Sequence, residues 1–335
     1  MKKLLLLLPL ILLGGCGGRH CYEGDDITML FDESRLVDPA KPITIFVHGG
    51  ARPASSILAI PGFYTACPRG FVAYKNLGCG CSTGRKIADE LHNVDEDQFP
   101  LESFYVYGWS ALLSFGVRRR EGRLLYKILR SIKDNPRYKD TPMTIFTHSY
   151  GGQVALNIAQ GAMEHNDERP LIDRLILTAT PIVIGSQELV ESPIFKKIYY
   201  LFSKSDFVQV LDPQFIYPIS SRKSRCAPIF SKRRFDHTPN LIQAEVKINN
   251  RSATGHVGFV NHAFLSHVPQ IIDFLDDDIK RSMLTKDKYG CYCININTYS
   301  GQVGKCQAPK ECLFKKKVKP DCQETDEPEE QELEH

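Results

Sequence analysis

The feature that most restricts the fold of this chain is a serine at the point where a strand-like run gives way to helical spacing. Ser149 follows the apolar run 143–146 and precedes two glycines, after which apolar residues recur at helical intervals. A turn this tight requires small residues two positions before and two positions after the serine, and Thr147 and Gly151 occupy them. The pattern predicts a nucleophile elbow, which lifts the serine hydroxyl clear of a sheet.

Thr147 is larger than the glycine that commonly occupies its position. The five residues alone are therefore equally compatible with a buried strand followed by an ordinary Gly-rich turn. In an elbow, the Tyr150 N–H and the first turn of the next helix face the place where an oxyanion forms. The motif thus predicts Ser149 as nucleophile and Tyr150 as one oxyanion donor.

Apolar runs rich in β-branched and aromatic residues recur along the chain, at 43–47, 104–107, 143–146, 175–178, 198–202 and 242–248. Several are almost continuously apolar, as strands covered on both faces must be. Helical spacing lies between them, in Leu124, Leu125, Ile128, Leu129 and Ile132, and again in Val268, Ile271, Ile272, Leu275 and Ile279. The alternation predicts an α/β fold with a mostly parallel sheet and helices on both faces.

Two further strand ends carry candidate catalytic groups. His48, Gly49 and Gly50 follow the first strong strand, and Gly50 is the candidate for the second oxyanion donor. His48 is interpreted as a hydrogen-bonding residue of that loop, not as a base. The candidate acid is Asp206, after the run 198–202, although an aspartate there could also simply cap a helix.

Asp212 is the second choice for the acid, because its place before Pro213 is typical of a turn. Three histidines compete for the base, and His256 ranks first because it follows a glycine in the loop after the last strand. His262 ranks second as part of a connecting turn, and His267 ranks last as the start of the closing helix.

The predicted chemistry is acyl transfer through a Ser149–His256–Asp206 triad. Neutral His256 would take the Ser149 proton as the hydroxyl attacks a carbonyl, and Asp206 would fix the tautomer and stabilise the imidazolium. A second serine, Ser110, also lies two residues after a glycine, but Leu112 would crowd an elbow there. The segment 108–112 is therefore interpreted as structural.

The first residues have the pattern of a targeting segment. Lys2 and Lys3 precede an apolar stretch, 4–13, that is too short to span a bilayer. The residues 13–16 resemble the lipobox of bacterial lipoproteins, which implies cleavage before Cys16 and its acylation. The alternative is a plain secretory signal in which Cys16 forms a disulfide. The formal net charge of +3 falls to +1 without Lys2 and Lys3, which argues against a nucleic-acid partner.

Of the 11 cysteines, ten remain besides Cys16, and an even number suits disulfides in an exported protein. Metal binding at 79–81 and 291–293 is less favoured, because one intervening residue is closer than zinc-ligand spacing. The basic runs 118–120, 222–225 and 232–234 are interpreted as solvated faces, with anionic headgroup contact as the alternative.

The predicted organisation has five parts: a signal peptide (1–15), an N-terminal extension (16–40), a catalytic domain (41–283), a Cys-rich appendage (284–322) and an acidic disordered tail (323–335). The Gly-, Pro- and Cys-rich region 51–100 interrupts the catalytic domain. It is either a functional insertion, such as a lid, or a disulfide-stapled excursion with no role in chemistry.

From about residue 42 to 279 the chain resembles the α/β-hydrolases, in particular bacterial lipases and esterases. The resemblance rests on the segments 47–50, 147–152, 177–181 and 203–206 and on Gly255-His256. It implies hydrolysis of carboxylic esters, often of lipids, without a metal or organic cofactor. The lipobox-like leader separately implies a location at the bacterial cell envelope, anchored by lipid. A thioesterase, amidase or acyltransferase on the same fold is the alternative enzyme, and a non-catalytic surface binding protein is the alternative of another class.

Overall fold

The computed structural model describes residues 38–49, 67–112, 114–183, 185–206, 208–209, 234–251, 255–287 and 290–306. Several assignments made from the sequence lie outside these ranges, among them the leader 1–15, Cys16, Gly50, Asp212 and the basic run 222–225. The acidic tail 323–335 also lies outside them. Within the ranges, no helix combines the length and apolar character that a membrane crossing requires.

Nine strands of the described residues form one sheet. They are β1 (Ile43–Val47), β2 (Gly70–Ala73), β3 (Phe104–Gly108), β4 (Met143–His148), β5 (Arg174–Thr178), β6 (Ile198–Phe202), β7 (Leu241–Ile248), β8 (Tyr292–Asn297) and β9 (Gln302–Lys305). Their order across the sheet is β2-β3-β1-β4-β5-β6-β7-β8-β9. The strands from β3 to β8 run parallel, and the edge strands β2 and β9 are antiparallel to their neighbours.

Eight α-helices of the described residues connect or flank these strands. They are α1 (Ser82–Val94), α2 (Phe115–Asp134), α3 (Gly151–Leu156), α4 (Ile158–Glu164), α5 (Ser186–Val190), α6 (His262–Leu265), α7 (Val268–Asp276) and α8 (Asp278–Ser282). Ser114 caps α2 by accepting a hydrogen bond from the Val117 N–H at its first turn.

The sheet lies between two apolar cores because successive side chains of a strand point to opposite faces. Ile145 of β4 belongs to the core formed with α2, α3 and α4, whereas the next residue, Phe146, belongs to the core formed with α1 and α7. Strands covered on both faces need apolar residues at nearly every position. The predicted fold, a mostly parallel sheet with helices on both faces, is confirmed.

All six strands predicted from apolar runs are present as β1, β3, β4, β5, β6 and β7. The second predicted helix is wrong at its end. It stops at Asp276, and the Asp277 carboxylate accepts hydrogen bonds from the N–H groups of Ile279 and Lys280 to start α8. Ile279 is consequently 69% exposed and does not belong to the apolar face.

The Cys-rich stretches contribute to the sheet. Within the region 51–100, the described residues from Cys67 onward form β2 and α1, and the Cys67–Cys81 disulfide joins the segment before β2 to the start of α1. Near the chain's other end, β8 and β9 extend the sheet, and a disulfide joins Cys293 to Cys306. Cys291 is a buried free thiol, and burial raises its pKa to about 11.

Helix α2 approaches the junction of α3 and α4 so closely that the contact requires a glycine. A Cβ at Gly122 would lie 2.5 Å from Asn157 Cβ and 2.8 Å from the Val154 carbonyl oxygen. Gly116, in the first turn of the same helix, has open space around it, with Ser114 Oγ at 3.8 Å as its nearest neighbour. The two glycines therefore form a matched pair.

We expect Gly122→Ala to lower the free energy of unfolding by about 1–3 kcal/mol, because the new methyl group overpacks the helix contact. Gly116→Ala should raise it by roughly 0.5 kcal/mol through helix propensity. Guanidinium unfolding followed by circular dichroism measures both changes. Stabilisation of both variants would contradict the close helix contact.

Candidate active site

Ser149 lies in the turn between β4 and α3, with φ at 55°, a conformation that non-glycine residues rarely adopt. Its N–H donates to the Thr178 carbonyl oxygen of the neighbouring strand β5 at 2.9 Å, and the residue is 5% exposed. Such backbone conformations persist only where the surrounding structure holds them, and they are concentrated at functional sites. The strand-to-helix turn predicted from the sequence is therefore present.

The turn packs against the end of β1 at distances that exclude side chains. A Cβ at Gly151 would lie 2.1 Å from the Val47 carbonyl oxygen, and one at Gly152 would lie 2.0 Å from Thr180 Oγ1. A Cβ at Gly49 would lie 2.9 Å from Ser149 Cβ. The loop after β1 and the serine turn are thus in direct contact, which brings the candidate oxyanion loop beside the nucleophile.

Thr147 fits two residues before the serine because its side chain points along the sheet and not into the turn. Its hydroxyl donates to the Ile176 carbonyl oxygen at 3.1 Å, and the Thr178 hydroxyl donates back to the Thr147 carbonyl oxygen at 2.6 Å. Both threonines are fully buried. The larger residue is accommodated by a reciprocal hydrogen-bond pair between β4 and β5.

The structure brings together the three residues predicted as a triad. His256 Nε2 lies 3.0 Å from Ser149 Oγ, and His256 Nδ1 lies 2.9 Å from Asp206 Oδ2 and 3.1 Å from Oδ1. The three residues follow β4, β6 and β7, whose carboxyl ends share one edge of the parallel sheet. These separations are within the range needed for proton transfer.

The hydrogen bonds define which nitrogen of His256 carries the proton. An ionised carboxylate only accepts hydrogen bonds, so Nδ1–H donates to Asp206 and Nε2 is left to accept from the Ser149 hydroxyl. Asp206 is completely buried, and its Oδ1 also accepts the Gln209 N–H at 3.2 Å. The carboxylate is thereby fixed behind the imidazole.

His48 and Trp109 shape the loop that follows β1. Trp109 donates its indole N–H to the His48 carbonyl oxygen at 2.8 Å and its backbone N–H to His48 Nε2 at 3.3 Å. Because Nε2 accepts, Nδ1 carries the proton and donates to the Gly49 carbonyl oxygen at 2.7 Å. His48 is thus a neutral, hydrogen-bonding residue of the loop, as the sequence predicted, and the next residue, Gly50, lies outside the described residues.

Two residues near the serine were not predicted. Trp109 belongs to the segment interpreted as structural, yet it holds the loop beside Ser149. His148, directly before the serine, places Nε2 at 2.9 Å from the His256 carbonyl oxygen, and the two rings lie 4.9 Å apart. Burial, followed by the charge of His256, lowers the pKa of His148 to about 3, which keeps its imidazole neutral.

The other two histidines considered as bases lie elsewhere. His262 is largely exposed on α6, where its Nδ1 lies 2.6 Å from Glu90 Oε2. His267 immediately precedes α7, at the helix start that the sequence predicted, and its Nδ1 lies 3.2 Å from the Ala263 carbonyl oxygen. Of the three, His256 is the one that contacts both Ser149 and Asp206.

The interpretation of the basic run 118–120 as a solvated face is wrong for its first residue. Arg118 is 1% exposed, and its guanidinium lies 4.6 Å from the centre of the Phe115 ring and 4.7 Å from that of Tyr150. Stacking on aromatic faces accommodates a guanidinium better than an ammonium group. Arg118 therefore packs behind the residue that follows the nucleophile.

No group of three or more His, Cys, Asp or Glu side chains within the described ranges has the arrangement of a metal site. The site comprises one serine hydroxyl, one imidazole between that hydroxyl and a carboxylate, and a glycine loop in contact with the serine.

No protein-family model and no curated protein sequence matches the chain. Among solved structures, it is similar to a hyperthermophilic esterase from the archaeon Pyrobaculum calidifontis, with 11% identity over 78% of this chain and 67% of that one, at a TM-score of 0.34. It is also similar to a Pyrococcus furiosus esterase, with 13% identity over 72% of this chain and 83% of that one, at a TM-score of 0.36. A Bacillus licheniformis lipase has 17% identity over 70% of this chain and 75% of that one, at a TM-score of 0.27.

The α/β-hydrolase fold predicted from the sequence is confirmed by the order of the strands and by the elbow that follows β4. In that fold the nucleophile, the acid and the histidine occur in this chain order, each after a strand. Ser149, Asp206 and His256 have that order and those places.

We expect Thr147→Gly to lower the free energy of unfolding by about 2–4 kcal/mol, even though glycine is the residue commonly found there. The change removes a buried hydrogen bond to Ile176 and a buried methyl group. It also raises the conformational entropy of the unfolded chain. Thr147→Ser keeps the hydroxyl and should lose only about 1 kcal/mol. Equal stability of Thr147→Gly and the parent in guanidinium unfolding would contradict this account of the turn.

Proposed function

We propose that the protein is a serine hydrolase that cleaves carboxylic esters through an acyl-enzyme. The observation that carries the proposal is the continuous hydrogen-bonded relay from Asp206 through His256 to Ser149, with the serine on a positive-φ turn at the carboxyl edge of a parallel sheet. A hydroxyl is a weak nucleophile at neutral pH, and an adjacent oriented base is what activates it.

In the proposed reaction, Ser149 Oγ forms a bond to the ester carbonyl carbon while its proton moves to His256 Nε2. Asp206 stays ionised and stabilises the imidazolium through the Nδ1–H bond. The tetrahedral intermediate collapses by breaking the bond to the alcohol oxygen, which takes the proton from Nε2. Water then attacks the acyl group with His256 as base, and the acid product leaves Ser149 regenerated.

The negative oxygen of the tetrahedral intermediate needs donors that are already in place. The candidates are the Tyr150 N–H, next to the nucleophile at the start of α3, and the Gly50 N–H, which follows the loop residue that contacts Ser149. His48 and Trp109 support this assignment, because their hydrogen bonds hold the His48 and Gly49 carbonyls in fixed orientations. Arg118 adds a buried positive charge behind the Tyr150 ring.

Exposed apolar side chains near the candidate site favour a substrate with an apolar acyl group. Leu112 and Phe115 follow β3 and Val257 follows His256, and they are 43%, 46% and 38% exposed although all three are apolar. The carboxyl ends of β3 and β7 lie at the same edge of the sheet as that of β4, so these side chains offer apolar surface on the side of the sheet that carries Ser149. Acyl esters, including lipids, are therefore the proposed substrates, and thioesters or amides are the competing acyl donors on the same relay.

We also propose that the enzyme is exported and anchored by lipid at Cys16. The proposal rests on the basic start, the apolar stretch 4–13 and the small residues before Cys16. The Cys67–Cys81 and Cys293–Cys306 disulfides are consistent with an oxidising compartment. Each buried methylene contributes about 0.8 kcal/mol, so two or more acyl chains give firm attachment.

We expect Ser149→Ala and His256→Ala each to lower turnover of a soluble ester by about 10⁶-fold, because the relay acts as one unit. Asp206→Asn should lower it by about 10⁴-fold through loss of the correct tautomer. A fluorophosphonate probe should label the parent at Ser149 and fail to label Ser149→Ala. Ser82→Ala, an exposed serine at the start of α1, is the control and should react like the parent.

Labelling that persists in Ser149→Ala, or comparable ester turnover in the three relay variants and the parent, would reject the hydrolase proposal. A parent that folds but shows neither labelling nor turnover would favour a binding protein. A panel of esters, thioesters and anilides with acyl chains of increasing length, tested as monomers and in micelles, identifies the acyl donor.

We expect Cys16→Ala in the full chain to move the protein from the membrane fraction to the soluble fraction, because the acylated thiol is lost. Incorporation of a clickable fatty-acid analogue should stop in the same variant. Cys291→Ala removes a buried free thiol elsewhere in the chain, and it should leave membrane recovery and fatty-acid incorporation unchanged. Membrane recovery and fatty-acid incorporation that persist in Cys16→Ala would reject the anchor.

A further inference from the structure

The imidazole of the relay reaches the serine from a distant strand. His256 follows β7, whereas Ser149 follows β4, and β5 and β6 lie between them. Neighbouring strands are about 4.8 Å apart, so the two strand ends are separated by roughly 14 Å. The histidine loop must therefore return across the sheet edge, and contacts beyond β7 have to hold it there.

One such contact comes from the strand of the acid. The Gly255 N–H donates to Ser205 Oγ at 3.2 Å, and Ser205 Oγ lies 2.9 Å from Ser203 Oγ. Together with the Asp206 carboxylate, these contacts hold the loop towards β6. They do not set how close the imidazole comes to the nucleophile, which lies two strands farther on.

A second contact comes from the strand of the nucleophile. His148 is the last residue of β4, and its Nε2 lies 2.9 Å from the His256 carbonyl oxygen, 108 positions along the chain. The two rings are also in contact, with their centres 4.9 Å apart. Because His148 is covalently next to Ser149, this hydrogen bond ties the backbone of the base to the backbone of the nucleophile.

The bond has a defined direction. A carbonyl oxygen only accepts hydrogen bonds, so His148 Nε2 carries the proton and donates. Burial and the charge of His256 lower the pKa of His148 to about 3, so the ring stays neutral at pH values well above 3. The donor therefore remains in place while the neighbouring His256 gains and loses its proton.

We propose that His148 is a positioning residue of the hydrolase, which sets the distance between the imidazole and the serine hydroxyl by donating to the His256 carbonyl. This inference rests on the proposed function. His148 does not carry the reacting proton, and its effect passes through His256. Without the donor, the loop is still held towards β6, but the separation between His256 Nε2 and Ser149 Oγ is no longer fixed.

Two variants of His148 distinguish the effect of its N–H donor from the effect of its ring. His148→Phe keeps a planar ring in the same place but has no N–H, whereas His148→Gln has an amide N–H with which to reach the carbonyl. His165→Phe is the control, because it removes a comparable histidine contact, Nδ1 to the Gly161 carbonyl oxygen at 2.8 Å, away from the site. The measurements are kcat, KM and the second-order rate of fluorophosphonate labelling.

A misplacement of about 1 Å at a catalytic group can lower the rate by about 100-fold. We therefore expect His148→Phe to lower kcat and the labelling rate by about 10- to 100-fold, with KM changed by less than about twofold because the ring does not bind substrate. His148→Gln should recover most of the rate, and His165→Phe should match the parent. All three should retain the parent circular dichroism spectrum.

Full activity of His148→Phe would overturn the positioning role. The role would also be overturned if His148→Phe and His148→Gln lost activity equally, since the side chain would then act as structural packing. In both cases an active parent, inactivated by Ser149→Ala, leaves the hydrolase proposal standing. A parent that is neither labelled nor active rejects the hydrolase proposal itself, together with the positioning role.

Discussion

The close packing of the serine turn against the end of β1 is the constraint on which the rest of the site depends. At Gly151 a Cβ would lie 2.1 Å from a backbone oxygen of β1, which no side-chain movement could relieve. The same contact places Gly49 against Ser149, so the loop after β1 and the nucleophile form one rigid unit. Because β1 pairs with β4 over the full length of β1, this unit is part of the sheet itself, and the histidine loop must adjust to it.

Much of the fold could be predicted because the central strands are covered on both faces. Burial on two sides requires apolar residues at consecutive positions, and such runs are visible without any structure. The edge strand β9 was missed for the opposite reason. It reads Gln-Val-Gly-Lys and none of its four residues is buried, so neither hydrophobicity nor alternation distinguishes it from a loop. Ile279 was misplaced because its spacing fits a helix that Asp277 interrupts with a new cap.

The three relay residues could be proposed from chain order and strand ends, which are properties of the sequence. The residues around them could not, because their roles depend on contacts between distant segments. Trp109 and His48 are 61 positions apart, and His148 and His256 are 108 positions apart. Arg118 looked like a surface cation because a run of three arginines is usually solvated. In the structure, the rings of Phe115 and Tyr150 lie against its guanidinium, a contact between residues that the run itself does not reveal.

The hydrogen bonds of His48, His148 and His256 explain why His256 is the candidate base. His48 and His148 each donate a hydrogen bond from a ring N–H to a backbone carbonyl oxygen, at 2.7 and 2.9 Å, and these bonds need only the neutral ring. Within the part of the chain that the structure describes, His256 is the one of these three that pairs with a carboxylate, Asp206. A positive charge that forms during proton transfer is stabilised next to that carboxylate, whereas at His148 it would be opposed by burial. In the proposed reaction, His256 is therefore the favourable acceptor of the Ser149 proton, and the proposed role of His148 is to hold that imidazole in place.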